Sequence, residues 1–252
     1  MTTNNRIPIF NLKPVDVHVW LFNLDHHSQT RPAWEQLLSA EEETHSKRYK
    51  FDGDRQRFIA RRGILRLLLG RYTSEDPVNI NYQVNSYGKL SLPSHPLAFN
   101  LSFSHDRIAL AFTLEKDIGV DIEQVHPLPD LFHLAESWFS SDERADLSTL
   151  DPALQVKAFF HIWTQKEAFI KAYGEGLSLS LKDFSVSTDP GKPGRLQSFN
   201  NSTEGVSHWK IASYNPQADC QAAVCVRMEA EPEISWIMPE VADLTGYEGI
   251  VV

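Results

Sequence analysis

The sequence predicts an α+β fold of two similar halves, and three observations carry the prediction. Strand-like alternation opens each half, over 15–24 and over 118–123. A long helical stretch follows in each, over 54–72 and over 159–174. Strand-like segments then close each half, as a hairpin over 97–114 and as separate strands between 184 and 228. The seam falls near Glu115-Lys116. It divides the chain into an N-terminal half (1–115), a C-terminal half (116–228) and an acidic tail (229–252).

Each element has a local reason. Val15, Val17, Val19 and Leu21 lie on one side of the first strand. Ser39-Ala40-Glu41-Glu42 has the form of a capping box and starts a helix. The helix over 54–72 carries Phe58, Leu65, Leu68 and Leu69 as its core stripe. Arg62 and Arg66 share one of its faces, and Arg57 and Arg61 another. Arginines so placed are solvated surface or, beside an apolar stripe, forks for phosphate. The turn Asn85-Ser86-Tyr87-Gly88-Lys89-Leu90 presents Lys89. The hairpin that follows is expected to turn at Asp106-Arg107. In the strand over 118–123, Ile118, Val120 and Ile122 point one way, and Asp121 and Glu123 the other.

A single helical stretch is expected over 129–147, with Trp138 and Phe139 inside it. The next helix, 159–174, contains no proline and stops at its first glycine, Gly174. It is apolar almost all the way round, as buried helices are. Strands are expected over 184–187, 209–214 and 222–228, with a polar loop over 191–205. The residues from Glu229 onward are expected to be poorly anchored.

With 252 residues, the chain can build a sizeable core. No apolar run approaches the ~18 residues of a membrane span, and the first residues lack the apolar core of a signal peptide. Cys220 and Cys225 fall on opposite sides of a strand, so they are expected to be reduced core residues of a cytoplasmic protein. The net charge of −9 is uneven, because the tail holds six acids and no Lys or Arg. Between Lys47 and Arg71, nine Lys and Arg stand against Asp52 and Asp54 alone. A local basic wall on an acidic chain suits a small polyanion better than a long nucleic acid.

Trp163, Glu167 and Lys171 follow one another at i, i+4 and i+8 and share a face of the central helix. Glu167 and Lys171 form either an ordinary intrahelical pair or a carboxylate and an ammonium at a dry pocket wall. The second arrangement needs a further partner, because unpaired buried charge is costly. Asp121 and Glu123 on one face of an apolar strand suit a hard cation, although a solvent-facing strand edge shows the same pattern. Together Asp121, Glu123 and Glu167 make an oxygen donor set for Mg²⁺, completed by water and phosphate. Lys171, Lys89 and the arginines would neutralise that phosphate, which is the layout of a phosphate-transfer site. No Walker A pattern occurs.

Gly119-Val120-Asp121-Ile122-Glu123, followed some forty residues later by Trp163-Thr164-Gln165-Lys166-Glu167-Ala168-Phe169-Ile170-Lys171, resembles the two signature motifs of the 4′-phosphopantetheinyl transferases of the surfactin-synthetase-activating type. Weaker matches come in the expected order. Arg57-Phe58 with Arg62, Leu65 and Arg66 resembles the family's basic helix, Gly88-Lys89 its Gly-Lys-Pro turn, and Phe99-Asn100-Leu101-Ser102 the strand before its Ser-His pair. The resemblance covers roughly residues 41–186.

It implies a monomer of two pseudo-symmetric αβ halves, with the active site in the cleft between them. It implies transfer of 4′-phosphopantetheine from coenzyme A to a serine of an apo acyl or peptidyl carrier protein, with release of adenosine 3′,5′-bisphosphate. Mg²⁺ would be held by Asp121, Glu123 and Glu167, with Glu167 also taking the serine proton, directly or through a water, and Lys171 binding the pyrophosphate. Coenzyme A contacts are expected from Arg57, Arg62, Lys89, Ser102, His105 and Lys171, with Arg62 and Lys89, helped by Arg57, at the 3′-phosphate and adenine end, and neither nucleic acid nor membrane is an expected partner.

Two departures stand out. Leu90 replaces the turn proline, and Phe103 follows Ser102 where the family has histidine. Either Phe103 takes the histidine's place against the pyrophosphate site, or a shortened hairpin brings His105 there. Rival functions are a Mg²⁺-dependent phosphodiesterase, which needs a second metal nearby, and an inactive carrier-protein-binding homologue.

Overall fold

Along β1 (Asp16–Asn23) both faces are apolar. Val17, Val19 and Leu21 pack on one side, and Trp20 and Phe22 on the other. A strand buried on both faces belongs inside a layered fold, and the computed structural model of this chain shows such layers. It describes residues 10–24, 34–93, 95–200 and 202–239.

After β1 come α1 (Ala40–Ser46), α2 (Asp52–Thr73), β2 (Gln83–Val84), β3 (Leu90–Ser91), β4 (Leu97–Ser104) and β5 (Arg107–Leu114). Then come β6 (Ile118–Gln124), α3 (Leu131–Trp138), α4 (Ser141–Thr149), α5 (Pro152–Tyr173), β7 (Phe184–Val186), β8 (Leu196–Phe199), β9 (Trp209–Gln217), β10 (Cys220–Arg227) and β11 (Glu233–Ile237). The fold is α+β.

One sheet has the order β11-β1-β5-β4 and a second the order β6-β10-β9. They face each other through a core of small and branched side chains, among them Val17, Val19, Ala109, Ala111, Val120, Ile122, Ala222 and Val224. On the outer face of the first sheet lies α2, whose Leu65, Leu68 and Leu69 meet Phe99, Leu110 and Phe112. On the outer face of the second lies α5, whose Ala168, Phe169 and Ala172 are buried against it. Cys220 and Cys225 are free and buried, in different cores on opposite faces of β10.

Local signals behave as physical chemistry requires. Ser39 Oγ accepts the Glu42 backbone N–H, and Glu42 Oε2 accepts that of Ser39. Gly174 ends α5 in the left-handed region (φ 87°). Helix α5 begins at Pro152, a turn and more before the expected start. Asp151 caps it, and proline suits a first turn whose N–H groups lack helical partners anyway.

Four expectations are corrected. The single helix over 129–147 is two helices, because Ser140 leaves the helix to cap α4, with Glu143 completing a capping box. Glu143 is then fully buried and pairs with Lys166 at 2.7 Å. The hairpin turns at His105-Asp106, one residue earlier than expected. Ser104 pairs with Arg107, and His105 takes the positive φ (52°) that a two-residue turn demands. The loop over 191–205 contains β8, paired with β7. The segment after Glu229 is anchored in part, since β11 adds to β1 as a parallel edge strand. The tail residues 240–252 and the first residues 1–9 lie outside the described residues.

Candidate active site

Strand β6 and helix α5 meet unusually closely, and Gly119 is the reason. A Cβ there would collide with the backbone carbonyl of Ala168 and the backbone nitrogen of Ala172. Contact this close brings the 121–123 face of β6 under the Trp163–Glu167–Lys171 stripe. Those three side chains are half-buried among fully buried neighbours, so they form one open strip on an otherwise enclosed helix.

Asp121 is 3% exposed, and its Oδ1 accepts two hydrogen bonds. One comes from Lys171 Nζ at 2.6 Å and one from Ser102 Oγ at 2.7 Å. Lys171 Nζ also reaches Ser102 Oγ at 2.9 Å, closing a triangle between β4, β6 and α5. The partner that Lys171 needs is therefore Asp121 across the interface rather than Glu167 on its own helix. Asp121 Oδ2 is buried and makes no hydrogen bond among the described residues. A buried carboxylate oxygen without a donor is costly, and a cation or a bound donor is what such an oxygen suits.

Glu167 and Glu123 both have pKa values raised, first by burial. For Glu167 the charge of Asp121 adds to this and Lys171 opposes it, with a further upward push from Glu123. For Glu123 a hydrogen bond from Ser104 opposes the rise, Asp121 adds to it, and Lys171 and a hydrogen bond from Trp163 oppose it. Three carboxylates thus share one field. Their donor chemistry, all oxygen with one orphaned lone pair, fits a hard cation. Among the described residues, no three His, Cys, Asp or Glu side chains converge on one point closely enough to hold a metal in this arrangement.

The remaining residues expected to bind coenzyme A fall into different surroundings. Arg57 is held by Asp106 at 2.8 Å and Asp54 at 3.3 Å. Arg62 faces Glu42 at 3.7 Å, with its Nη1 buried and without a partner among the described residues. Arg66 is 3% exposed and structural. It pairs with Glu42 at 2.5 Å and donates to the carbonyls of Pro77 and Ile80, while the Tyr82 hydroxyl donates to Glu42 as well. Lys47 and Arg55 pair with Glu43 and Glu35. The basic wall read along the chain is largely neutralised by acids brought in from other segments.

Lys89, just before β3, reaches the C-terminal end of α5. Its Nζ donates to the carbonyls of Lys171 at 2.7 Å and Ala172 at 3.3 Å, and burial lowers its pKa. Ser102 and Phe103 point to opposite faces of β4. Ser102 joins the Asp121 triangle, and Phe103 is exposed on the α2 side with the Arg61 guanidinium 3.6 Å from its ring centroid. His105 is exposed in the turn, its Nδ1 3.5 Å from Ser104 Oγ.

Sequence reasoning gave no role to three residues that its motifs contain. Gly119 permits the close contact, and a glycine before two carboxylates on one strand face was its only signal. Asn100 Oδ1 accepts the Val120 N–H at 2.9 Å and so splices the two sheets beside the site. Lys166, fully buried inside the motif, ties α5 to Glu143 and the Phe184 carbonyl. A separate cleft of about 1430 Å³ runs along β9 and includes none of the expected site residues.

Comparison with known proteins adds independent support. The family model described as 4′-phosphopantetheinyl transferase superfamily matches residues 117–225. The 4′-phosphopantetheinyl transferase HetI of Nostoc sp. is 33% identical over 87% of this chain and 91% of its own length. The 4′-phosphopantetheinyl transferase ffp of Bacillus subtilis is 31% identical over 85% of this chain and 90% of its own. The 4′-phosphopantetheinyl transferase Sfp of Bacillus subtilis (strain 168) is 35% identical over 60% and 66%. Among solved structures, Thermotoga maritima holo-[acyl-carrier-protein] synthase aligns at 19% identity with a TM-score of 0.37, over 45% of this chain and 64% of that one; this likeness is too slight to bear on the fold. The paired motifs, the site they build and the full-length relatives agree, and the chain belongs to the 4′-phosphopantetheinyl transferases of the surfactin-synthetase-activating type.

Proposed function

We propose that this transferase moves the 4′-phosphopantetheine group of coenzyme A to a serine hydroxyl of an apo carrier protein, with Mg²⁺ bound, and releases adenosine 3′,5′-bisphosphate. The observation that carries the reading is the Asp121–Lys171–Ser102 triangle, with an unsatisfied carboxylate oxygen and two further carboxylates in the same field.

Asp121, Glu123 and Glu167 would hold the Mg²⁺. When bound, the ion would offset negative charge on the pyrophosphate. Lys171, held at the cleft by Asp121, places an ammonium where the pyrophosphate oxygens arrive. Glu167 lies one helical turn away on the same strip and takes the proton of the serine hydroxyl. The serine oxygen bonds to the β-phosphorus, and the bond from that phosphorus to the bridging oxygen breaks. The electron pair leaves with adenosine 3′,5′-bisphosphate. Coenzyme A lies in the cleft between the halves 1–115 and 116–228, with its nucleotide end toward the arginines of α2 and the tip of the β4–β5 hairpin. His105 stands at that tip.

Reduced, buried Cys220 and Cys225 fit a cytoplasmic location, and no helix among the described residues is long and apolar enough to cross a membrane. The reading takes the protein as a monomer that binds neither nucleic acid nor membrane.

The test is direct. The protein is incubated with coenzyme A, Mg²⁺ and a purified apo carrier protein, and the carrier is weighed. A mass gain of one phosphopantetheine is expected, lost on chelation of Mg²⁺ and lost in Asp121→Asn. No mass gain across a panel of fatty-acid, polyketide and peptide carriers would sink the reading, as would full activity of Asp121→Asn.

A further inference from the structure

We infer that Ser104, at the end of β4, is a positioning residue for the carboxylates proposed to hold Mg²⁺: it fixes Glu123 and the end of β6, and so sets how tightly the site takes a divalent cation. The inference rests on the Mg²⁺ reading above and gives a role to a residue to which that reading gives none.

The geometry is that of a joint between two sheet edges. β4 ends the order β11-β1-β5-β4 and β6 begins the order β6-β10-β9, so each strand has one edge outside its own ladder. The two strands lie side by side, yet no backbone hydrogen bond joins them among the described residues. The N–H of Arg227 donates to the Asp117 carbonyl and that of Val125 to the Asp219 carbonyl, so odd-numbered residues of β6 turn their backbone to β10 and even-numbered ones to β4. Side chains of β4 meet that edge in place of a ladder. Asn100, Ser102 and Ser104 alternate with Leu101 and Phe103 and share one face. Asn100 Oδ1 accepts the Val120 N–H at 2.9 Å, Ser102 Oγ donates to Asp121 Oδ1 at 2.7 Å, and Ser104 Oγ accepts the Gln124 N–H at 3.3 Å.

Ser104 reaches further than the other two. Its hydroxyl also donates to the Glu123 carboxylate, and the Trp163 indole donates to the same carboxylate from α5. A serine hydroxyl carries one donor and two acceptor lone pairs, so giving its proton to Glu123 and accepting the Gln124 N–H are compatible. His105 Nδ1, 3.5 Å from the same oxygen, is the longer and weaker contact. Glu123 is half-buried, and Asp121 and Glu123 both act on Glu167 through space. Held from β4 on one side and from α5 on the other, Glu123 stays beside those two carboxylates instead of turning to solvent.

A carboxylate already oriented by hydrogen bonds takes a cation more tightly, because its direction is fixed before the ion arrives. Two of the three carboxylates owe that orientation to β4: Asp121 to Ser102, and Glu123 to Ser104. The hydroxyl of Ser104 is itself carried on an anchored segment. Ser104 pairs with Arg107 across the hairpin, and the Arg57–Asp106 pair ties the hairpin turn to α2. The disposition of the carboxylates on β6 is thereby coupled to the sheet that holds β4.

Titration with Mn²⁺, followed by electron spin resonance as a probe of the Mg²⁺ site, tests the role with and without coenzyme A. Wild type, Ser104→Ala, Ser104→Thr, Glu123→Ala and the double variant Ser104→Ala with Glu123→Ala are compared, each checked by melting temperature. Ser104→Ala should weaken Mn²⁺ about tenfold, the size usual for a group that orients a metal ligand. Ser104→Thr keeps the hydroxyl and should stay near wild type. In the Glu123→Ala background, Ser104→Ala should weaken Mn²⁺ no further, because the residue through which it acts is gone. The Mg²⁺ concentration for half-maximal transfer should rise with Ser104→Ala, while KM for coenzyme A at saturating Mg²⁺ stays unchanged. Wild-type Mn²⁺ affinity in Ser104→Ala, or an equal further loss in the Glu123→Ala background, would overturn the inference and leave the Mg²⁺ reading standing. A wild type that binds no Mn²⁺ under either condition overturns both.

Discussion

Gly119→Ala is the sharpest perturbation this structure offers, because one methyl group tests the assembly of the whole site. The new Cβ would press on backbone atoms of α5, at Ala168 and Ala172, with the carbonyl carbon of Lys171 also only 2.9 Å away. Backbone cannot rotate aside as a side chain can, so the helix must move by about 1 Å to restore ordinary contact. Overpacking of this kind costs ~1–3 kcal/mol. At ~2–4 °C per kcal/mol for a chain of this size, the melting temperature should fall by roughly 2–12 °C.

The same shift would pull Lys171 and Glu167 away from Asp121. The Lys171–Asp121 contact of 2.6 Å leaves no slack, and a misplacement of about 1 Å in a positioned site costs on the order of 10²-fold in rate. Transfer should be followed by mass spectrometry of the carrier at saturating coenzyme A, below the melting transition. Gly53→Ala in the first turn of α2 is the control. Its Cβ would meet only an Arg57 side-chain nitrogen at an ordinary 3.6 Å, so it should be neutral or stabilise by about 0.5–1 kcal/mol. Wild-type kcat/KM in Gly119→Ala, or equal losses in both variants, would refute the claim that this close contact builds the site.

Two further outcomes are expected. Lys89→Met keeps the stem but removes two hydrogen bonds from a charged donor to the end of α5, each type worth ~1.5–3 kcal/mol; kcat should fall more than KM for coenzyme A rises, with the preference over dephospho-coenzyme A unchanged, and a selective loss of that preference would instead make Lys89 a phosphate ligand. His161 is 1% exposed and burial lowers its pKa to about 4, so its neutral form is the folded one: the stability it contributes is fully present above pH ~6.5 and is lost as pH falls toward 4, by on the order of 3 kcal/mol. His161→Gln should flatten the fall in melting temperature between pH 6.5 and 4.5, and an unchanged slope would show that other groups cause it.

What the sequence determined by itself was local and periodic. The capping box at Ser39, the stop at Gly174, the face of Asp121 and Glu123 opposite Ile118, Val120 and Ile122, and the strip of Trp163, Glu167 and Lys171 all stand as read. Side-chain direction repeats every 2 residues in a strand and every 3.6 in a helix, so such statements need only neighbours in the chain. The break between α3 and α4 was equally legible in Ser140-Ser141-Asp142-Glu143, a capping box hidden inside an apolar pattern.

Only the tertiary structure decided which charges meet. Lys171 is bound to Asp121 rather than Glu167, Lys89 caps α5, and β11 pairs with β1. Glu42 draws Arg62 and Arg66, while Asp106 draws Arg57, which leaves Arg61 with Phe103. Charge acts through space and carries no period along the chain. A row of arginines in sequence therefore fixes the sign of a surface, and the fold alone decides which of them is left to bind a ligand.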